Sequence, residues 1–312
     1  MNDPVFSIIA PVFNEKEILP KLVARVREVM ETTGETWEFV LVDDGSTDGS
    51  TDSIRAFGRE DECIRPVIFA RNFGHQLAVT AGLDYSRGQA VVIIDADLQD
   101  PPEVILNLIK KWHEGYEVVY AVRAEREGES WFKLFTASLF YRIIYRITDV
   151  DIPMDTGDFR LLDRKVVDVI GQMRERHRFL RGMSAWVGFH QTGVEYKRSA
   201  RYAGETKYPF KRMLKFALDA ITSFSYFPLQ LATYLGFIAA GLSILAIPVV
   251  VAMRLAGSQA FFGQATTLIA VLFLGGVQLI SLGILGEYIG RLYDEAKGRP
   301  LYIVAEAPGS EK

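Results

Sequence analysis

The fold is decided by residues 91–102, which read Val91-Val92-Ile93-Ile94-Asp95-Ala96-Asp97-Leu98-Gln99-Asp100-Pro101-Pro102. The apolar run predicts a buried strand, and the two prolines suit the first turn of a helix that follows it. In an open parallel sheet ligands bind at the carboxyl ends of the strands, which is where Asp95 and Asp97 stand. Carboxylate oxygens are ligands for Mg²⁺ or Mn²⁺, so the stretch predicts a divalent cation that bridges a diphosphate.

Apolar runs alternate with helical patterns over the first 125 residues. We expect strands at Val5–Ala10, Trp37–Val42, Pro66–Ala70, Ala90–Ile94 and Glu117–Ala121, and helices at Glu15–Thr33, Asp48–Gly58, His75–Ser86 and Glu103–Glu114. Strands that are continuously apolar, separated by helices, indicate a parallel sheet covered on both faces. Right-handed crossovers then limit the α/β topology to a doubly wound, mostly parallel sheet.

The composition and charge of the 312 residues exclude several kinds of function. A net charge of −4, without a basic stripe of interleaved aromatic residues, gives no reason to expect a nucleic-acid partner. The single cysteine, Cys63, rules out an internal disulfide and a cysteine-rich metal site. The residues after Met1 lack the basic and apolar segments of a signal peptide, so we expect none. Apolar residues concentrate near the end, which indicates a soluble domain joined to a membrane segment.

Two long apolar runs near the C-terminus, Ala232–Met253 and Ala265–Gly286, predict a pair of transmembrane helices. Neither run contains an acidic or basic residue, and each exceeds the roughly 20 residues that cross a hydrocarbon core. Basic residues flank the pair on its outer sides, whereas the loop Arg254–Gln264 holds one. The positive-inside rule therefore places the N-terminal domain and both termini in the cytoplasm, with the chain in the plasma (inner) membrane. A buried helical hairpin in a soluble domain is the alternative.

Residues 126–230 are less regular and contain two amphipathic segments with basic faces, Trp131–Thr148 and Lys207–Phe227. Each segment either packs on the sheet or lies as an interface helix in the plane of the membrane surface. Together the patterns predict a cytoplasmic α/β domain over residues 1–208, an interfacial helix over 209–230, two transmembrane helices over 231–290 and a cytoplasmic tail over 291–312.

Polar residues follow the first two predicted strands, at the edge where Asp95 and Asp97 stand. Pro11-Val12-Phe13-Asn14-Glu15 follows the first strand, and Asp43-Asp44-Gly45-Ser46 follows the second. Their oxygens suit hydrogen bonds to a base and a ribose, although Asn, Asp, Gly and Ser also favour helix caps and turns. The chain has no G-x-G-x-x-G after its first strand and no G-x-x-x-x-G-K-[ST]. Dinucleotide oxidoreduction and P-loop phosphoryl transfer therefore lose their main sequence support.

The motifs Pro11–Glu15, Asp43–Ser46 and Asp95–Asp100, taken as a set, resemble those of family 2 inverting glycosyltransferases, which have the GT-A fold. The resemblance is closest to the polyprenyl-phosphate branch, which includes dolichyl-phosphate mannose synthases and bacterial bactoprenol (undecaprenyl-phosphate) glucosyltransferases. It covers nearly the whole chain and continues through Arg71–Gly74, Gly157–Asp163, Phe179–Gly182, Trp186–Gly188, Arg201–Lys207 and Leu285–Arg291.

The resemblance implies a role for each matching residue. The residues expected to contact the uridine nucleotide are Pro11, Asn14, Glu15, Asp44 and Asp95. The residues expected to hold the Mg²⁺ or Mn²⁺ ion and the diphosphate are Asp95, Asp97 and Gln99. The basic residues expected to bind the diphosphate or the acceptor phosphate are Arg123, Arg126, Arg201 and Lys207. Asp158 occupies the position usually proposed as the catalytic base, and Asp97 is expected to be the second catalytic residue. The relatives imply a homo-oligomer, a tetramer.

Elementary chemistry qualifies the role of Asp158. A phosphate monoester has a second pKa of about 6 and is largely dianionic at neutral pH, so it hardly needs a general base. Asp158 then has one of two roles: it orients the sugar or the acceptor, or it stabilises positive charge on the sugar. The alternative is that Asp158 is only a turn residue. The four histidines lack ligand spacing and are expected to be structural or exposed: His75, His113, His177 and His190.

Three functions compete for this sequence. The favoured one is transfer of a sugar, by resemblance glucose, from a UDP-sugar to undecaprenyl phosphate, whose product would serve a cell-envelope polysaccharide such as lipopolysaccharide. A processive polysaccharide synthase is the second, but Arg178–Gly182 lacks the Gln-x-x-Arg-Trp pattern typical of such enzymes, and two spans make a poor channel. A non-catalytic membrane scaffold that retains a nucleotide pocket is the third.

Overall fold

The computed structural model describes residues 3–123, 156–197, 225, 227–257 and 264–308. The chain forms two compact units. The first comprises Met1–Met213 together with Arg299–Lys312, and the second comprises Leu214–Gly298. The first contains a sheet with its covering helices, and the second contains two long apolar helices.

An eight-stranded mixed sheet lies at the centre of the first unit. The strands are β1 (Phe6–Val12), β2 (Trp37–Asp43), β3 (Ile64–Phe69), β4 (Ala90–Ile93), β5 (Val118–Arg123), β6 (Thr156–Asp163), β7 (Gln191–Tyr196) and β8 (Val304–Glu306). They lie in the order β7-β5-β6-β4-β1-β2-β3-β8. Of these described strands, β6 and β8 run against the direction that the other six share.

Helices cover the sheet in the connections between the strands. They are α1 (Leu19–Glu31), α2 (Ser50–Glu60), α3 (His75–Tyr85), α4 (Val104–His113), α5 (Arg164–Gln172) and α6 (Leu180–Trp186). In α1 the buried residues Leu19, Leu22, Val26 and Val29 recur at the helical period, and Pro20 suits its first turn. β1 and β4 are buried along their whole length, as strands of a sheet covered on both faces must be.

β6 enters the middle of the sheet in the reverse direction. It lies between β4 and β5 and pairs antiparallel with both, with Ile93 opposite Arg160. Because β6 is reversed, its first residues lie at the edge where the parallel strands end. Continuing the β4–β6 register by two residues brings Asp95 opposite Asp158, and residues directly opposite across an antiparallel pair lie close together.

The strands and helices expected over the first 125 residues are confirmed, with bounds that differ by a few residues, and so is the mostly parallel α/β sheet. β6, β7, α5 and α6 were not expected in the less regular region. β8 was not expected either, since its residues belong to the predicted tail. The segment Trp131–Thr148 and almost all of Lys207–Phe227 lie outside the described residues.

The second unit contains α7 (Phe227–Leu255) and α8 (Gln264–Ala296). Both are long and apolar enough to cross a membrane, with mean hydropathies of 2.5 and 2.2 over their candidate spans. Each contains one of the two predicted runs, and α8 continues past its run through Glu287 and Arg291. Large apolar side chains such as Phe237 and Leu272 are exposed on both helices. The alternative of a buried soluble hairpin therefore finds no support among the described residues.

Candidate active site

The end of β4 presents an acidic pair at the carboxyl edge of the sheet. The Oδ1 atom of Asp95 is buried and accepts no hydrogen bond from any of the described residues. The imidazole Nε2 of His75 lies 3.7 Å from that oxygen. Burial, together with the negative charges of Asp158, Asp100 and Asp97, raises the pKa of Asp95 to about 6. Asp95 is therefore a carboxylate whose charge the surrounding protein leaves poorly compensated.

A tight turn after Asp95 fixes the second carboxylate. The Oδ1 atom of Asp97 accepts a hydrogen bond of 3.0 Å from the backbone N–H of Gln99. Leu98 between them has a φ of 55°, a left-handed conformation that a leucine rarely adopts. Its side chain is buried, and this burial offsets the backbone strain. Strain of this kind concentrates at functional sites.

Asp158, at the start of β6, is held by three side chains. Its Oδ2 lies 3.1 Å from His75 Nε2 and accepts a hydrogen bond of 3.1 Å from Gln76 Nε2. Its Oδ1 accepts a hydrogen bond of 2.8 Å from Arg181 Nε. Gln76 in turn accepts a hydrogen bond from the backbone N–H of Leu180, which ties α3 to α6. The direction of Asp158 is thus set by residues from two helices.

These contacts determine how Asp158 and His75 ionise. Burial alone would raise the pKa of Asp158, but the hydrogen bond from His75 and the charge of Arg181 outweigh it and lower that pKa strongly. Burial would lower the pKa of His75, but its bond to Asp158 and the charge of Asp95 raise it. A carboxylate with a strongly lowered pKa is a weak proton acceptor, so the geometry favours positioning over proton removal for Asp158.

The loops after β1 and β2 are tied together by polar contacts. Asn14 Oδ1 accepts a hydrogen bond of 2.8 Å from the backbone N–H of Thr47, and the Asn14 N–H donates to Ser46 Oγ at 3.0 Å. The backbone N–H of Glu15 donates to Ser50 Oγ at 3.0 Å. Asn14 has a φ of 58°, which asparagine tolerates better than most residues. The two motifs expected to bind uridine therefore form one continuous loop surface.

Asp44 connects this surface to the loop after β3. Its carboxylate is buried and accepts hydrogen bonds from the backbone N–H groups of Phe73 at 2.6 Å and Gly74 at 3.0 Å. Burial raises the pKa of Asp44, and these two hydrogen bonds oppose the rise. Gly45 has a φ of 72°, and a Cβ there would lie 2.5 Å from the backbone nitrogen of Asn72. Only glycine permits this approach of the two loops.

A third group of polar residues lies where β5, β6 and β7 meet. The hydroxyl of Tyr196 donates a hydrogen bond to Asp100 Oδ1 and lies 3.5 Å from Arg123 Nε. Burial and the bond to Asp100 raise the pKa of Tyr196 to about 12, so its hydroxyl stays protonated. A Cβ on Gly157 would lie 3.0 Å from Arg123 Nη2, so this glycine makes room for the guanidinium. The contact brings Arg123 next to the residue that precedes Asp158.

The structure places most of the predicted site residues at one edge of the sheet. Pro11 and Gln99 are buried there and Glu15 is half-buried. Asp158 and Asp95 share the neighbour His75, and Arg123 lies close to Gly157. The predicted phosphate-binding residues Arg126, Arg201 and Lys207 lie outside the described residues.

Sequence reasoning missed several members of the site: His75, Gln76, Arg181, Asp100 and Tyr196. His75 and Gln76 could have been found from the sequence. They open the helix that follows the third strand, and the rule that assigned Asn14 and Asp44 to the carboxyl edge applies equally there. No signal of this kind was available for Arg181 and Tyr196, because their approach depends on the reversed strand β6 and on the placement of β7.

The donor set fits a hard divalent cation that is shared with a substrate. No group of three or more His, Cys, Asp or Glu side chains in the described part of the chain is arranged to hold an ion alone. The buried Oδ1 of Asp95 nevertheless has no hydrogen-bond donor among the residues that the structure describes, and the Asp97 carboxylate stands two residues away in sequence. Mg²⁺ is commonly bound through one or two carboxylates plus substrate phosphates, which is the ligand set this edge can offer.

The mostly parallel α/β sheet, the acidic pair at the end of a central strand and the two apolar helices are the features that the family resemblance in the sequence implies. Comparison with known families agrees, since the glycosyl transferase family 2 domain matches residues 7–171 and the GtrB C-terminal hairpin matches residues 227–292. The chain belongs to glycosyltransferase family 2, and it is an enzyme. The family resemblance seen in the sequence is thereby confirmed.

Relatives match over nearly the whole chain. An uncharacterized glycosyltransferase of Bacillus subtilis (strain 168) is 51% identical over 98% of this chain and 95% of its own length. An uncharacterized glycosyltransferase of Synechocystis sp. is 48% identical over 98% of this chain and 96% of its own length. The SfII prophage-derived bactoprenol glucosyl transferase of Shigella flexneri is 42% identical over 96% of this chain and 97% of its own length.

Proposed function

We propose that this protein transfers glucose from UDP-glucose to undecaprenyl phosphate, with inversion at the anomeric carbon, and releases UDP. The observation that carries the proposal is the undercompensated carboxylate of Asp95, which shares the neighbour His75 with the firmly held carboxylate of Asp158 at the carboxyl edge of the sheet. Relatives named bactoprenol glucosyl transferases, 42% and 43% identical over 96% of this chain, support the choice of sugar and acceptor.

The donor nucleotide binds along the joined loops after β1, β2 and β3 in this proposal. Pro11, Asn14, Glu15 and Asp44 line the uridine site, and the hydrogen bonds between these loops fix its shape before the nucleotide arrives. Such preorganisation reduces the entropy that binding must remove. Asp95 and Asp97 stand at the diphosphate end of that surface.

Asp95 and Asp97, with Gln99 as a further ligand, would hold Mg²⁺ or Mn²⁺ beside the donor diphosphate. When bound, the ion supplies positive charge that stabilises the departing diphosphate. The carboxylate pair contributes the negative charge that keeps the ion at the end of β4. Arg123 and Arg126 add fixed positive charge on the diphosphate side.

The acceptor phosphate attacks without a protein base. A phosphate oxygen forms the new bond to the anomeric carbon while the bond from that carbon to the UDP oxygen breaks, and the electron pair leaves with UDP. Asp158, held by His75, Gln76 and Arg181, orients the sugar and stabilises its developing positive charge. Arg201 and Lys207 bind the acceptor phosphate, because two anions meeting in a site of low dielectric need cations to offset their repulsion.

The helix pair anchors the enzyme where its lipid acceptor resides. Its two candidate spans are long enough to cross the bilayer, and the basic residues outside them favour a cytoplasmic N-terminal domain and cytoplasmic termini in the plasma (inner) membrane. In this proposal the segments Trp131–Thr148 and Lys207–Phe227 are helices that lie at the membrane interface. The domain boundaries fall at residues 208, 230 and 290, and the protein assembles into a homotetramer.

The test is a transfer assay with detergent-purified full-length protein, Mg²⁺, undecaprenyl phosphate and a panel of radiolabelled nucleotide sugars. We expect label in an organic-extractable, acid-labile product only with UDP-glucose and only when the lipid is present. Transfer from a different donor would correct the sugar and keep the reaction. Polymer formed without the lipid would overturn the acceptor in favour of a processive synthase, and UDP binding without any transfer would overturn the transfer reaction.

A further inference from the structure

The segment that follows α8 returns to the sheet and pairs with its edge. We call residues 299–308 the C-terminal strap. Within it β8 runs antiparallel to β3, and the backbone N–H of Ala70 donates to the carbonyl of Ile303 at 3.0 Å. Arg176 donates to the carbonyl of Arg299 at the start of the strap, and Arg55 binds both carboxylate oxygens of Glu306 near its end, at 3.0 and 2.7 Å. The strap is therefore fixed at both of its ends.

One side chain of the strap holds the two elements that flank the loop Arg71–Gly74. The ring of Tyr302 stacks on that of Phe69 at the end of β3, with the ring centroids 5.1 Å apart. Its hydroxyl donates a hydrogen bond of 2.6 Å to Asp84 on α3, and Arg174 contacts the same carboxylate oxygen at 2.8 Å. Tyr302 thus links the strand that enters this loop to the helix that leaves it.

A line of aromatic contacts continues from Tyr302 into the donor site. Phe69 meets Phe73 edge to face, with the ring centroids 5.6 Å apart, and the guanidinium of Arg71 lies 4.0 Å from the centre of the Phe73 ring. The backbone N–H of Phe73 is one of the two backbone groups that donate to the carboxylate of Asp44. The position of the loop against Asp44 therefore depends on packing that ends at Tyr302.

We infer that the C-terminal strap is a positioning element of the donor site and that Tyr302 is its key residue. A strand that served only to cover the exposed edge of β3 would need the backbone pairing of β8. It would not need a side chain that bridges Phe69 and Asp84. This inference rests on the proposed function, because it takes the loop Arg71–Gly74 and Asp44 as part of the nucleotide site.

Three variants of the full-length, detergent-purified protein test the inference. Tyr302→Ala removes the ring and its hydroxyl, Tyr302→Phe keeps the stack and removes the hydrogen bond, and Ile303→Ala changes a neighbouring side chain that is 54% exposed. The measurements are UDP affinity by calorimetry, KM and kcat with UDP-glucose, and hydrogen exchange at the amides of Phe73 and Gly74.

We expect Tyr302→Ala to weaken UDP binding and raise the donor KM by about two- to tenfold, the range that the loss of one aromatic pair gives. The kcat should stay within about twofold, because the acidic residues that act on the diphosphate and sugar are untouched. Exchange at Phe73 and Gly74 should accelerate in Tyr302→Ala and, less strongly, in Tyr302→Phe. Ile303→Ala should match the wild type in every measurement.

The possible failures are distinguishable. If Tyr302→Ala binds UDP as the wild type does and its loop amides exchange at the wild-type rate, the strap only covers the edge and the inference is overturned. If Tyr302→Ala does not fold, unchanged exchange at Phe73 and Gly74 in Tyr302→Phe overturns it equally. If the wild type itself binds no nucleotide, the proposed donor site fails, and the inference fails with it.

Discussion

Two carboxylates at opposite edges of the same sheet have opposite surroundings. Glu38, near the start of β2, is 2% exposed and accepts hydrogen bonds from Ser7 Oγ, Arg65 and both the backbone and the side chain of Arg87. Asp95, just past the end of β4, has one oxygen buried without any such donor among the described residues. The negative charge of Glu38 is therefore compensated by surrounding hydrogen-bond donors and cations, whereas the negative charge of Asp95 is poorly compensated.

The two environments move the pKa values in opposite directions. Burial would raise the pKa of Glu38, but hydrogen bonds from Ser7 and Arg87 and the charge of Arg65 lower it overall. Burial and neighbouring carboxylates raise the pKa of Asp95 to about 6. The Oδ1 atom of Asp95 is buried without a hydrogen-bond donor among the described residues, and this charge deficit supports the cation site proposed at the end of β4.

The largest expected effect is the loss of transfer in Asp97→Ala. In the proposed reaction Asp97 supplies a charge at the diphosphate end of the site, and removing such a group lowers the rate by about 10²-fold or more. The measurement is the rate of lipid-linked glucose formation under saturating donor. Glu103→Ala, which removes an exposed carboxylate paired with Arg25, is the matched control and should retain wild-type activity. Full activity in Asp97→Ala would contradict the role given to this carboxylate.

Asp158→Asn should lower kcat by about 10²-fold, because an amide cannot hold the charge of Arg181 and the sugar would lose its orientation. The pH dependence of the remaining activity should keep the wild-type shape above pH 6, since no protein base is removed. A rate profile recorded between pH 6 and pH 9 measures both quantities. Loss of an acid limb that the wild type shows in that range would contradict the role of Asp158 as a positioning group.

Glu38→Gln should lower the free energy of unfolding by about 2–3 kcal/mol, because Arg65 and Arg87 lose the charge they were paired with. Activity per folded molecule should not change. The folded-state pKa of Glu38 is lowered from 4.5, so its stabilising contribution is complete above about pH 4.5 and is lost as the pH falls further. Denaturant unfolding at pH 7 and pH 4 should therefore show a smaller deficit at pH 4.

Asp95→Asn, in contrast to Glu38→Gln, should raise the stability of the fold when divalent cations are removed by a chelator. The folded-state pKa of Asp95 is raised, so its ionised form destabilises the fold at and above pH 7, and the effect disappears below about pH 4. The variant should unfold at a higher temperature than the wild type at pH 7 and at an equal temperature at pH 4. A lower unfolding temperature at pH 7 would contradict the charge deficit.

The smallest expected effect is that of Arg55→Ala. Arg55 is paired with Asp52 and Glu306, and its side chain and that of Glu306 are 35% and 52% exposed. Pairs this exposed contribute less than about 1 kcal/mol. Thermal unfolding should shift by no more than a few degrees, and donor KM should stay at the wild-type value because Tyr302 keeps its own contacts. A large rise in donor KM would show that the pair Arg55–Glu306, and not Tyr302, is the key contact of the C-terminal strap.

The residues at the carboxyl edge of the sheet could be predicted where a short stretch of sequence is enough to identify the strand. β1 to β4 are mostly apolar, so Asp44, Asp95 and Asp97 could be placed at strand ends from the sequence alone. The reversal of β6 could not be, because Thr156–Asp163 is interrupted by polar residues and strand direction depends on pairing partners distant in sequence. For the same reason the link of His75 to Asp158 and the pairing of β8 with β3 appeared only in the structure.

The most direct test of the contrast between the two edges is calorimetric binding of UDP with and without Mn²⁺. The wild type, Asp95→Asn and Glu38→Gln are compared as full-length proteins in detergent. We predict that Mn²⁺ strengthens UDP binding at least tenfold in the wild type and in Glu38→Gln, and that it has no effect in Asp95→Asn. Equal strengthening in all three proteins would contradict the assignment of the metal–diphosphate site to the end of β4.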